Sequence, residues 1–166
     1  MATYQKIASV SVGSGGSAQM VFSSIPATFS DLIIHVSARS SVSNSVDDIK
    51  LDFNGTTTNR SSRYLYGNGS TTGSVTYTRE IGVAPGNTAP ANLFGVGKIQ
   101  ITRYAGSNYK SISAFTVTEN NATSAYAVAT SAIWSNTAAI TSIELSLPTG
   151  TFMEHSSADL YGIKNS

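Results

Sequence analysis

A period-two alternation of apolar and polar residues, cut by turn residues at short intervals, leaves this chain few ways to fold. Asp31 to Arg39 (DLIIHVSAR) shows it most clearly. Leu32, Ile34, Val36 and Ala38 fall on one side, and Ile33, His35, Ser37 and Arg39 on the other. Successive side chains of an extended chain point to opposite faces, so this pattern buries one face of a strand. Asp48 to Asn54 (DIKLDFN) repeats it, with Ile49, Leu51 and Phe53 inward and Asp48, Lys50, Asp52 and Asn54 outward on a solvated face.

The last third obeys the same rule. Ile143, Leu145 and Leu147 alternate up to Pro148-Thr149-Gly150, a turn that should join this strand to the final one. There Ala158, Leu160 and Gly162 share a face, and Asp159, Tyr161 and Ile163 share the other. A terminal strand this apolar must dock into a sheet, because an untethered end frays.

Between these anchors, Tyr4 to Val12 and Ala18 to Phe22 read as a hairpin-like pair turned at Gly13–Gly16. Arg63 to Tyr66, Val75 to Val83, Phe94 to Arg103 and Lys110 to Thr118 read as further strands. Gly67–Gly73 reads as a hairpin turn, Ala84–Ala91 as a loop, and Asn120–Ser124 as a turn. Ala125 to Trp134 is alanine-rich, but its Tyr126, Val128, Thr130 alternation favours a strand over a helix. About ten short strands with turn signals every 8–12 residues predict an all-β, antiparallel two-sheet sandwich. A jelly roll leads, with an immunoglobulin-like sandwich second; the Cys–Trp–Cys core of the latter is absent. A length of 166 residues predicts one domain spanning 1–166.

Composition narrows the function. There is no cysteine, so disulfides, thiolate metal sites and cysteine nucleophiles are excluded. Charged residues make up 11%, and the net charge is +1. Such a chain has no basic footprint for nucleic acid or anionic membrane, and little like-charge repulsion between its own copies. No segment resembles a secretory leader or a membrane span, which predicts a soluble protein that begins at its own methionine.

Chemistry is harder to find. Asp47, Asp48, Asp52 and Asn54 do not have the calcium-loop spacing, and Lys50 stands among them. His35 and His155 are the two histidines and lie far apart in sequence, without zinc-ligand spacing. No G-x-S-x-G elbow or P-loop occurs. Asn54, Asn59, Asn68 and Asn121 open glycosylation sequons, which arise freely in a chain so rich in Asn, Ser and Thr. A glycan hydrolase would need two converging carboxylates, for which Glu119, Glu144, Glu154 and Asp159 are the candidates. No residue set demands a reaction, so no catalytic residue, metal or cofactor is expected. The candidate interaction surface is Arg60, Arg63, Tyr64, Tyr66 and Asn68, with Trp134 as a separate anchor. Arginine and aromatic residues dominate binding hot spots. The competing reading is that Trp134 and one of the two tyrosines pack in the core.

Several segments, in order along the chain, resemble a group of small proteins of tailed bacteriophages. They are SIPATFSDLIIHVSARS, FNG followed by SSRYLYGNGS, ENNATSAYA, and WSNTAAITSIELSLPTGTF leading to LYGIKN. The resemblance implies a jelly-roll virion component. Its expected role is capsid decoration, as a cement-like homotrimer bound to the major capsid protein on the capsid exterior and assembled in the host bacterial cytoplasm. The alternative is a tail or head fibre module that recognises host surface glycan. The group carries no catalytic residues to transfer.

Overall fold

A computed structural model describes residues 3–120 and 125–164. Its strands are β1 (Thr3–Ser11), β2 (Gln19–Phe22), β3 (Asp31–Ala38), β4 (Val46–Phe53), β5 (Arg60–Gly67) and β6 (Thr72–Tyr77), then β7 (Glu80–Pro85), β8 (Gly95–Thr102), β9 (Lys110–Glu119), β10 (Ala125–Trp134), β11 (Ile143–Ser146) and β12 (Ser157–Lys164). They form two antiparallel sheets, one of eight strands ordered β1-β12-β3-β8-β9-β10-β5-β6 and one of four ordered β2-β11-β4-β7. The fold is an all-β sandwich of jelly-roll type, without helix among the described residues. The turn expected at Asn120–Ser124 and the sequon at Asn121 lie, apart from Asn120, outside the described residues.

The alternation places the core as expected. Leu32, Ile34, Val36, Ile99, Ile101 and Leu160 of the large sheet meet Met20, Phe22, Ile49, Leu51, Phe53 and Leu145 of the small one. The final strand docks between β1 and β3, and Leu160 is fully buried. Gly162 continues that face, where Phe29 takes the space a side chain would need.

Connectivity departs from the expectation in three places. β1 and β2 are not a hairpin: β1 pairs with β12 and β2 with β11. β11 and β12 do not pair either; they belong to opposite sheets, and Pro148–Gly150 begins a crossover rather than a hairpin. The physical reason is shared. Each apolar face must lie against the other sheet, so consecutive strands cross between layers. Third, Val75 to Val83 is split. β6 stays in the large sheet, and β7 joins the small one after a corner at Thr78-Arg79. Arg79 fixes that corner by donating from Nε to Asp52 Oδ1 at 2.9 Å, while its carbonyl accepts from Leu51 N at 3.0 Å.

The edge of β7 is stitched to the large sheet by hydroxyl groups. Val83 N donates to Thr116 Oγ1, Thr130 Oγ1 donates to Ile81 O, and the Tyr64 hydroxyl donates to Gly82 O, each at 3.0 Å. An edge strand left bare is a template for mispairing, and these contacts close it. The approach is so close that a Cβ on Gly82 would lie 2.3 Å from Thr116 Cγ2. Beyond this seam, β10, β5 and β6 extend past β7 and build a second, smaller cluster. Tyr64, Val83 and Val128 form its centre, with Val46, Tyr66, Val75, Tyr77 and Tyr126 around them.

Candidate functional site

β5 carries the stretch singled out in the sequence, and strand alternation divides it. Cross-strand neighbours share a face, and the β5–β10 register pairs Arg60 with Trp134, Tyr64 with Thr130 and Tyr66 with Val128. These residues point inward. Arg63 and Leu65 point outward, and Arg63 donates to Ser61 Oγ and to the Ser62 carbonyl. The residues Arg60, Arg63, Tyr64, Tyr66, Asn68 and Trp134 therefore do not form one surface.

Four of them have structural roles. Trp134 is 1% exposed and packs on Phe53, with ring centroids 5.2 Å apart. Among the described residues its Nε1 has no hydrogen-bond partner, and the Lys110 ammonium stands 6.0 Å from its ring centre. The Arg60 side chain is 5% exposed, its Nη2 lies 3.0 Å from Asp52 Oδ1, and its guanidinium carbon stands 4.7 Å from the Phe53 ring centre. Burial pushes its pKa down to about 10, against the pull of Asp52. Tyr64 is buried, and burial drives its phenol well above the usual range. Asn68 builds the β5–β6 turn, where its Oδ1 accepts from Thr71 N at 2.8 Å and Ser70 N at 3.1 Å. That is a side-chain-capped turn.

The expected solvated face of β4 is likewise corrected. Asp52 is 3% exposed and held by Arg60 and Arg79. Asn54 adopts a φ of 52° and accepts from Thr141 N and Ser142 N, which pins the β10–β11 connection. Among the described residues no three His, Asp or Glu side chains gather as a metal site. The hydrolase candidates are dispersed. Glu144 is in the small sheet, and Glu119 and Asp159 lie on strands of the large sheet separated by two others. Asp159 pairs with Lys6 at 2.8 Å.

What the structure does bring together is a cavity of about 410 Å³ over the second cluster. Tyr64, Tyr66, Tyr77 and Tyr126 line it, together with Asp47, Asp48, Asn44 and Asn68. Tyr64 and Tyr77 meet edge to face with centroids 4.8 Å apart, and Tyr66 and Tyr126 lie 6.4 Å apart. Asp48 is raised to about 6, first by burial and then by the charges of Glu80 and Asp47; a hydrogen bond from Tyr77 and the charge of Lys50 oppose the rise. Tyr77 is raised in turn, first by burial and then by Asp48 and Glu80. Tyr64, Tyr66 and Asn68 belong to the residues expected from the sequence. Tyr77, Tyr126, Asp47 and Asp48 do not. Tyr77 and Tyr126 carry no sequence signal beyond their phase in the strand, and Asp48 falls in the outward phase of β4; neither says that β4 comes up against β5, β6 and β10.

A second feature lies on the outside of the large sheet. Leu65, Phe115 and Val96 are 64%, 55% and 56% exposed. The register sets Leu65 beside Ala129 and Ala129 beside Phe115, and the adjacent row runs Gly67, Ala127, Val117, Val96. The result is a contiguous apolar face with a shallow groove between Leu65 and Phe115.

The sequence matches no protein-family model and no curated protein. Among solved structures, the chain is similar to a galectin of Caenorhabditis elegans, LEC-6, with 9% identity, a TM-score of 0.35 and coverage of 95% of this chain and 96% of that one. It is also similar to the CBM40 of a Ruminococcus gnavus IT-sialidase, determined with α2,3 sialyllactose, with 10% identity, a TM-score of 0.31 and coverage of 96% and 91%. Likeness at this level carries no ligand or activity across to this chain.

Proposed function

We propose that the protein is a structural component of a tailed-phage particle: a capsid decoration protein that binds the capsid exterior as a homo-oligomer, with a trimer as the expected state. The observation that carries this reading is the outer apolar face of the large sheet. Contiguous exposed apolar faces are where proteins meet partners. Here Leu65, Val96 and Phe115 are joined by alanine, valine and glycine into exposed rows that another β surface can cover. A net charge of +1 leaves copies free to approach.

Quantitative mass spectrometry of purified virions tests the reading. Copy numbers comparable with the major capsid protein support decoration. A few to a few dozen copies move the protein to a tail or fibre, and absence from the particle refutes both. In solution, light scattering on the isolated chain should give an oligomer that the Leu65→Lys/Phe115→Lys double variant converts to monomer, with the thermal midpoint unchanged. A wild-type monomer at high concentration counts against self-association through this face.

A second reading, a fibre module that recognises host surface glycan, is favoured by the tyrosine-lined cavity, because flat rings beside asparagine suit a sugar. Retention on host cells that is lost in the Tyr66→Ala/Tyr126→Ala variant would support it.

A further inference from the structure

We propose that the cavity between β4 and the β5–β6–β10 end of the large sheet is a binding site for an organic ammonium group. The inference goes beyond the particle reading and does not depend on it.

The first ground is charge without a partner. Asp47 and Asp48 line the cavity, and no lysine or arginine does. The ion pairs of the described residues are Lys6–Asp159, Arg60–Asp52 and Arg79–Asp52, so neither carboxylate is matched. Asp47 accepts from Ser40 Oγ at 2.7 Å and from Asp48 N at 2.9 Å. These bonds orient Asp47 without neutralising it. The charged and titratable groups felt by Asp48 are Asp47 and Lys50 on its own strand, Glu80 on β7, Tyr77 on β6 and Tyr64 on β5. Carboxylates outnumber the single lysine, and that lysine does not line the cavity.

The second ground is the aromatic lining. Four tyrosines line the same space of about 410 Å³ as the two aspartates, and that volume is within the range of small-ligand sites. Aromatic rings attract cations through their quadrupole, and the attraction grows where water is displaced. A bare metal ion fits poorly, because no three acidic or histidine ligands converge among the described residues. A neutral sugar would leave the charge on Asp47 and Asp48 uncompensated. An ammonium group on a short alkyl or sugar frame satisfies carboxylates and rings alike. Two sources offer that chemistry: a lysine side chain on a partner protein, and a free amino sugar on a surface glycan.

The test uses the full-length protein with ring-labelled tyrosine, observed by NMR at fixed ionic strength. Three probes are titrated: Nα-acetyl-lysine methylamide, glucosamine, and N-acetylglucosamine as the uncharged control. The expected result is a saturable shift confined to Tyr66, Tyr77 and Tyr126 with at least one of the two amines, and none with N-acetylglucosamine. Asp48→Asn should weaken the binding at least tenfold. Tighter binding of the lysine analogue points to a protein partner, and tighter binding of glucosamine to a glycan. No saturable shift with either amine, or an equal response to N-acetylglucosamine, overturns the proposal. If Asp48→Asn does not fold, the wild-type protein decides, since amine affinity must fall as the pH is lowered through about 6. Affinity that is flat across that range overturns the proposal equally. Virion copy number is read separately, so failure here leaves the particle reading standing, and the reverse holds too.

Discussion

The Asp52 ion cluster offers a sharp test of how this sandwich is held together, because its members differ in what each leaves behind when removed. Asp52 Oδ1 accepts from Arg60 Nη2 at 3.0 Å and from Arg79 Nε at 2.9 Å, and its Oδ2 takes Arg79 Nη2. Arg60 is almost fully buried, whereas Arg79 keeps a quarter of its side chain exposed. In Asp52→Asn, Arg60 retains only the Thr56 carbonyl at 3.0 Å and the Phe53 ring. Its Nε has no partner even in the wild type. Leaving a buried cation unpaired costs about 3–5 kcal/mol, a large part of the ~5–15 kcal/mol that holds a domain folded. In Arg60→Met the logic reverses. The methionine replaces part of the buried arginine stem, and Asp52 keeps its two-pronged contact with Arg79, so the loss should be about 1–2 kcal/mol. Glu144 stands opposite Asp52 in the β11–β4 register but makes no ion pair with either arginine, so it does not take over. Urea unfolding followed by Trp134 fluorescence, fitted with a shared m-value, measures both variants. Asp52→Asn must be the more damaging by at least about 1 kcal/mol, the smallest gap between the two costs. Equal losses, or the reverse order, would show that the cluster is not organised around a buried Arg60.

Three further outcomes follow from single positions. Leu160→Asp should leave no folded protein by circular dichroism, since Leu160 is fully buried and an unpaired carboxylate there costs several kcal/mol. Gly162→Ala should lower stability by about 1–3 kcal/mol in chemical denaturation, because its Cβ would lie 2.2 Å from Phe29 Cγ; Phe29→Ala in the same background should remove most of the added penalty of the alanine. Asp48 predicts a pH dependence. Its folded pKa, about 6, lies above its unfolded value of 3.8, so its contribution favours folding most below 3.8 and is lost as the pH rises through about 6. Asp48→Asn should therefore flatten stability between those pH values. It should also raise stability at pH 7 by about 1 kcal/mol, the full linkage value being reduced by partial solvent screening.

How legible this fold was in the sequence depends on the range of the information. Local phase was clear: Leu32, Ile34 and Val36, Ile49 and Leu51, and Ala158 and Leu160 are buried as their alternation requires. Alternation says which side of a strand is apolar, but not which sheet receives it. Gly13–Gly16 and Pro148–Gly150 look like hairpin turns, because a chain reversing within a sheet and one crossing between sheets use the same turn residues. Thr78-Arg79 carries no turn signal at all. That corner is made by an ion pair to Asp52, some 27 positions back along the chain, a distance over which single-strand patterns are silent.

The same limit explains the fate of the candidate site. Reading Arg60 to Asn68 as a surface treated neighbours in sequence as neighbours in space. In an extended strand, adjacent side chains are on opposite faces, so Arg63 was bound to separate from Tyr64. Asp48 went astray for a complementary reason. It sits in the outward phase of β4, and outward normally means water. Yet β10, β5 and β6 reach past the β7 seam and come up against that outer face, which turns Val46 and Val83 into members of a second cluster and Asp48 into the wall of a cavity. An eight-stranded sheet over a four-stranded one has surplus width. Surplus sheet must either stay bare or wrap the edge of its partner. Here its inner face wraps, giving the cavity, and its outer face stays bare, giving the apolar rows of Leu65 and Phe115. Both candidate surfaces thus arise from the one mismatch in sheet size. A change that shifts the seam, such as Thr116→Val with its lost bond to Val83 N, should perturb the cavity tyrosines while leaving the outer face unaltered.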